Sequence, residues 1–294
     1  MEVVSFDAGE EVVRMHKYGP HETAPLFTVT SPNNPVACRR HQRLDQAFQG
    51  LFGQLHHFDL TLDSTTAEKL RNPCGDHLQF LQNFLSYKLF EAFSFTKAER
   101  FECHVNCSRV TIGGFGGTWH HDATSQLTTE DGTVCEYLAL YYLNEKEKIG
   151  NYKWLECALV TQDYPNKNQL LESFCPVSTT DGQLLVLRND CMMHRTPVLC
   201  NLVPGSLRRF FYVPFRALDS SNQPVLLEPP STAVWKPYQE NTIQERIVDE
   251  LKSHDSNIDL PNYVVNGNAS LTIPWSEEIQ SERPNWLFDD PDDY

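Results

Sequence analysis

Apolar residues recur along this chain at two different periods, and the change between them falls near Phe93. From Arg43 onward Leu44, Ala47, Phe48, Leu51 and Phe52 stand at three- and four-residue steps, which predicts an amphipathic helix that Gly53 would cap. Pro73-Cys74-Gly75-Asp76 then leads into a broader stripe of Leu78, Phe80, Leu81, Phe84, Leu85, Leu89, Phe90 and Phe93. A helix this apolar needs a sheet to lie on. Ahead of both helices, residues 1 to about 40 are polar and interrupted by Pro20, Pro25, Pro32 and Pro35. Short strands or an ordered arm on the main body fit that pattern better than an independent domain.

Beyond Phe93 the period drops to two. His104 to Ile112 alternates and is rich in β-formers, and a glycine-rich stretch, Gly113-Gly114-Phe115-Gly116-Gly117, follows it. Asp131-Gly132 signals a turn into the apolar run Cys135 to Asn144, which predicts a buried central strand. Lys153 to Val160, Gln183 to Leu187 after the Asp181-Gly182 turn, Cys191 to Val198 and Leu207 to Phe215 read as further strands. Six to eight strands with no helical pattern between them predict an antiparallel sandwich or jelly roll, not a βαβ fold. After Arg216 the chain turns proline-rich and polar, with one helix predicted over Thr242 to Lys252. The remainder, through Trp275 and Trp286, is expected as extended wrapping or a lid. No repeat or linker breaks the chain, so 1–294 is expected to be one domain. Its parts are an N-terminal arm with supporting helices (1–100), a catalytic core (101–216) and a C-terminal wrapping segment with an acidic tail (217–294).

Charge and cysteine narrow the setting. Asp and Glu outnumber Lys and Arg by 39 to 24, a net charge of −15 that argues against nucleic acid as a partner. Part of that charge is the terminal run Asp289-Asp290-Pro291-Asp292-Asp293, read as a solvated tail. No signal peptide and no bilayer-length apolar run is visible. The nine cysteines are scattered without a Cys-x-x-Cys pair, so neither a zinc site nor a disulfide framework is expected. Free thiols fit a reducing compartment, and a cytoplasmic location with no membrane partner is the expectation.

Chemistry concentrates at Trp119-His120-His121-Asp122. In an extended backbone His120 and Asp122 share a face, because strand side chains repeat every two residues, while His121 points away. An imidazole and a carboxylate side by side are two ligands of a facial triad, and His194 on a later strand offers the third. Each of these residues has an ordinary structural explanation when taken alone. A solvated His-His turn, a core histidine, a surface pair at Arg208-Arg209 and a core Tyr142 are all common.

Taken in order, the pieces resemble the core of iron- and 2-oxoglutarate-dependent oxygenases, most closely the prolyl-hydroxylase-like branch. The resemblance spans about Cys103 to Arg216. It is carried by the glycine-rich lead into His120-x-Asp122 and by the strand Leu138-Ala139-Leu140-Tyr141-Tyr142-Leu143-Asn144. Asp181-Gly182-Gln183-Leu184-Leu185-Val186-Leu187, and then His194-Arg195-Thr196-Pro197-Val198 with Gly205-Ser206-Leu207-Arg208, complete it. Where the family often has a Gly-Gly pair after the Tyr-Leu-Asn strand, this chain has Gly150-Asn151.

The resemblance implies a mainly β protein with flanking helices, built on a double-stranded β-helix (a cupin-like jelly roll). It also implies that His120, Asp122 and His194 hold Fe(II), with 2-oxoglutarate and molecular oxygen as cosubstrates and ascorbate as an accessory reductant. The far carboxylate of 2-oxoglutarate would meet Arg208, with Arg209 as the fallback, and the hydroxyl of Tyr142. The implied activity is a dioxygenase, most simply a hydroxylase of a small-molecule substrate such as an amino acid or specialised metabolite, releasing succinate and CO2. A protein (prolyl or other side-chain) hydroxylase and a non-catalytic jelly-roll binding domain are the alternatives.

Overall fold

The computed structural model describes residues 1–9, 11–18, 24–31, 35–52, 58–71, 76–111, 119–122, 136–143, 154–160, 166–179, 182–196, 207–238 and 259–266. The chain opens with β1 (Glu2–Ala8), β2 (Glu11–Lys17) and β3 (Leu26–Thr30), an antiparallel meander. Next come α1 (Pro35–Leu51), β4 (Phe58–Asp63), a short α2 (Ser64–Glu68) and α3 (His77–Ala92). The strand-rich core holds β5 (Arg100–Thr111), β6 (Tyr137–Tyr142), β7 (Trp154–Leu159), α4 (Lys167–Ser173) and β8 (Cys175–Ser178). It continues through β9 (Leu184–Arg188), β10 (Met192–Arg195) and β11 (Leu207–Leu218). A two-residue β12 (Lys236–Pro237) and α5 (Leu260–Asn266) end the described chain.

Two antiparallel sheets face one another as a jelly roll. Among the described residues, the larger has nine strands in the order β12-β1-β2-β3-β9-β6-β11-β5-β4, and the smaller has three in the order β10-β7-β8. Strand β6 lies between β9 and β11, and every one of its residues is buried. Its alternation explains why. Tyr137, Ala139 and Tyr141 enter the layer beneath the helices, while Leu138, Leu140 and Tyr142 enter the layer between the sheets. A strand covered on both faces reads as a continuous apolar run, which is how β6 stands out in the sequence.

Helix α3 supplies the helical layer. Asp76 caps it by accepting from the Gln79 backbone N–H at 2.8 Å. Phe80, Leu81, Phe84, Leu85 and Leu89 are buried against the large sheet, with the Phe84 ring edge-on to Tyr141 at 5.1 Å. A buried ion pair enters this layer: Lys88 Nζ donates to Glu11 Oε1 at 2.6 Å and also to Ser31 Oγ at 2.5 Å. A buried ammonium persists only with partners of this kind.

The structure corrects several sequence expectations. Helix α1 starts at Pro35, well before Arg43, because proline is suited to a first helical turn where its missing N–H costs nothing. The short strands expected before residue 40 are present as β1, β2 and β3 and belong to the large sheet. Helix α4 does interrupt the strand succession, between β7 and β8, and α5 stands where extended wrapping was expected. The helix expected over Thr242 to Lys252, together with Gly53, Trp275, Trp286 and the acidic tail, lies outside the described residues.

Candidate metal centre

His120 and His194, far apart in sequence, are direct partners. The His120 N–H donates to the His194 carbonyl at 3.2 Å and the His194 N–H donates to the His120 carbonyl at 3.0 Å, a two-bond antiparallel bridge. That bridge extends the small sheet by one segment and brings the rings to 4.5 Å between centroids. Asp122, two residues on, turns to the same side. Its Oδ2 stands 3.2 Å from His194 Nε2 and its Oδ1 stands 3.7 Å from His120 Nε2. The three donor atoms lie within 4.8 Å of one another. Two ligands each about 2.1 Å from one ion and at right angles sit about 3 Å apart, so the trio has the dimensions of a cis set around a single metal.

The electrostatics agree. Burial outweighs the opposing pull of Asp122 and, with smaller contributions from His120 and His121, lowers the His194 pKa to about 4. Its imidazole is therefore neutral near pH 7, with a lone pair to give. Asp122 Oδ2 is buried and has no hydrogen-bond partner among the described residues. An orphaned carboxylate oxygen against a neutral imidazole is unfavourable unless a cation joins them. The donor set thus fits a divalent metal. His120 is the most open of the three, with 48% of its side chain exposed against 19% for Asp122 and 8% for His194, so the centre opens on its side.

The other predicted residues divide. Tyr142 is buried in the layer between the sheets, with its ring 5.6 Å from Phe210. Arg208 is in β11, paired with Val110, and its side chain lies outside the described residues. Arg209 is engaged on the opposite side of the sheet, where Nη1 donates to Asp45 Oδ1 of α1 at 2.6 Å and the guanidinium sits over Phe48. His121 is half-buried and not one of the converging trio. Trp119 turns away from the trio into a separate apolar cluster, so it packs and does not line the centre.

Several residues at the site carried no assigned role in the sequence. Tyr212 of β11 faces the inner layer, and its phenol pKa is pushed up by burial and by the negative charge of Asp122 and Glu136. Asn189, in the turn between β9 and β10, donates from Nδ2 to the Asp122 carbonyl at 2.8 Å. Arg195 and Glu156 are cross-strand partners with no exposed side-chain surface, joined from Nε to Oε2 at 2.6 Å. A lone arginine in Met192-Met193-His194-Arg195 and a lone glutamate in Trp154-Leu155-Glu156-Cys157 were the available signal, since opposite charges on two apolar strands imply pairing. The register that pairs them was not available.

No family model matches the sequence, and no curated protein does. Among solved structures, a Pseudomonas putida prolyl-4-hydroxylase is 17% identical, overlapping 62% of this chain and 87% of that one at a TM-score of 0.34. HygX from Streptomyces hygroscopicus, with nickel and 2-oxoglutarate bound, is 11% identical over 66% of this chain and 83% of that one, TM-score 0.36. The non-haem α-ketoglutarate-dependent carbocyclase SnoK of nogalamycin biosynthesis is 9% identical over 76% and 86%, TM-score 0.39. One of these is named as α-ketoglutarate-dependent and another holds 2-oxoglutarate, the cosubstrate of the family that the sequence motifs resemble. The overlaps are loose, and it is this chain's own donor set that carries the functional conclusion.

Proposed function

We propose that this protein is an Fe(II)- and 2-oxoglutarate-dependent dioxygenase that hydroxylates an unactivated C–H bond of a small-molecule substrate, such as an amino acid or specialised metabolite. One observation supports this above the others. His120, His194 and Asp122 converge, with a buried Asp122 oxygen that has no hydrogen-bond partner among the described residues. Two imidazoles and one carboxylate on one side leave the remaining positions of an iron open, which distinguishes this set from a closed structural site. Bound there, iron with 2-oxoglutarate and oxygen supplies the oxidising chemistry, the cosubstrate leaving as succinate and CO2.

The chain's own residues orient and enclose. His194, neutral and buried, and Asp122 would hold the cation together with His120, while the backbone bridge brings the two imidazoles side by side. Tyr142, Phe210 and Tyr212 wall the inner layer and exclude water. The distal carboxylate of 2-oxoglutarate needs a cation, and position 208 is assigned that role. What supports this is parity along β11: position 208 alternates with Arg209, whose side chain is tied to Asp45. The reading treats 1–294 as one oxygenase domain in the cytoplasm, acting without nucleic acid or membrane, with ascorbate maintaining the ferrous state.

The test is turnover of the purified protein loaded anaerobically with Fe(II). Succinate should form from 2-oxoglutarate slowly without substrate and faster with the right one, and Asp122→Ala should abolish both rates. Panels of free amino acids and metabolites against peptides separate a small-molecule enzyme from a protein hydroxylase. Metal binding without any succinate would leave a jelly-roll binding domain, and failure to bind a divalent metal would end the oxygenase reading.

A further inference from the structure

Behind the trio, on the outer face of the small sheet, a second polar group sits inside hydrocarbon. Strand alternation turns Trp119, the residue before His120, and Arg195, the residue after His194, away from the metal side. Both meet α5, a seven-residue helix from the C-terminal part of the chain. Trp119 Nε1 donates to the Val264 carbonyl at 2.7 Å, and Arg195 Nη2 donates to the Tyr263 carbonyl at 2.7 Å. Those carbonyls belong to the last turn of the helix, where backbone acceptors lack intrahelical donors and the partial charge favours a cation. The Tyr263 hydroxyl in turn donates to Glu156 Oε1, whose other oxygen holds Arg195. The guanidinium is sandwiched, 4.5 Å from the Trp119 ring centre and 5.2 Å from that of Tyr263. Arg195 and Glu156 have 0% of their side chains exposed, and Tyr263 is 1% exposed.

We infer that α5 is a latch for the metal centre, and that Tyr263, Arg195, Glu156 and Trp119 are positioning residues that act through His120 and His194. The inference rests on the metal reading above and adds to it a part of the chain remote in sequence from the trio. The physical reason lies in the bridge between the ligand strands. Among the described residues, only two backbone hydrogen bonds join segment 119–122 to β10, too few to fix side-chain spacing to a few tenths of an ångström. The latch holds both segments from behind through the same two consecutive carbonyls, so their relative shift is tied to one rigid turn of helix. Partners of this kind govern how tightly the first ligands hold an ion.

The experiment is titration of the full-length, metal-stripped chain with Co(II), following its visible ligand-field absorption. Tyr263→Phe removes one hydroxyl and should raise the Co(II) dissociation constant about tenfold and alter the band shape. Trp119→Phe keeps an aromatic face for Arg195, loses the N–H donor together with part of the ring and should act in the same direction, so the test stands even where Tyr263→Phe does not fold. Ser86→Ala is the control. Ser86 is buried in α3 on the far side of the large sheet, where its hydroxyl donates to the Asp63 carbonyl at 2.7 Å. It should cost fold stability and leave Co(II) affinity unchanged. Wild-type affinity and spectrum in both latch variants overturn the latch and leave the metal centre standing. Equal weakening in all three variants assigns the effect to general destabilisation and overturns it as well. A wild-type chain that binds no Co(II) removes the metal centre itself.

Discussion

At the scale of single residues, two adjacent arginines show how neighbours on one strand take different work. Arg209 is 14% exposed in its side chain and already bound to Asp45 at 2.6 Å, over Phe48. Its task is to tie β11 to α1. Position 208 carries the opposite parity and is the one assigned to the cosubstrate carboxylate. Arg208→Gln should therefore weaken 2-oxoglutarate binding to the Ni(II)-loaded protein by roughly 2–5 kcal/mol, the usual cost of truncating one member of a buried charge pair. Arg209→Gln should leave that binding unchanged and lower unfolding stability by about 1 kcal/mol or less, since Asp45 is partly exposed and the pair is screened. Isothermal titration of 2-oxoglutarate with urea melts of both variants decides the matter; reversed effects would transfer the anchor to Arg209.

At the scale of elements, α3 shows what the large sheet demands of its cover. Phe84→Ala should cost about 3–5 kcal/mol, because its ring is 1% exposed and wedged against Tyr141 with no room to collapse. Asp76→Ala, at an exposed cap of the same helix, should cost only about 1 kcal/mol. Denaturant midpoints measure both, and a small loss for Phe84→Ala would mean the layer is loosely packed. The same contrast explains what the sequence revealed. Helix α3 and strand β6 are long, apolar and periodic, so burial writes them plainly. Helices α4 and α5, seven residues each, are too short for a 3.6-residue period to separate from chance. Strand parity placed His120 with Asp122 correctly, because parity is local. The bridge of His120 to His194, the pairing of Arg195 with Glu156 and the grip of α5 are facts of register between distant segments. Nothing in a strand's own residues encodes the offset of its neighbour.

At the scale of the whole molecule, the fold contains an acid weakness apart from its site. His16, in β2, has both ring nitrogens buried with no hydrogen-bond partner among the described residues, and meets the Tyr238 ring edge-on at 5.4 Å. Burial first, and the charge of Arg14 second, hold its pKa down from 6.5 to about 4. The folded state therefore refuses a proton that the unfolded chain accepts. Its contribution is fully present above about pH 6.5 and is lost as the pH falls from there toward 4. Between pH 7 and pH 5 the expected loss from this residue is about 2 kcal/mol, on one pKa unit being worth about 1.4 kcal/mol. His194 is depressed to the same value and slopes the same way in the metal-free protein, so the wild-type curve alone does not separate them. His16→Leu does, when urea unfolding of both proteins is followed in chelator from pH 7.5 to pH 4.5. The variant should unfold along a flatter pH curve, with the difference from wild type growing below pH 6.5. Parallel curves would mean that the His16 ring reaches solvent or a partner when it takes up its proton.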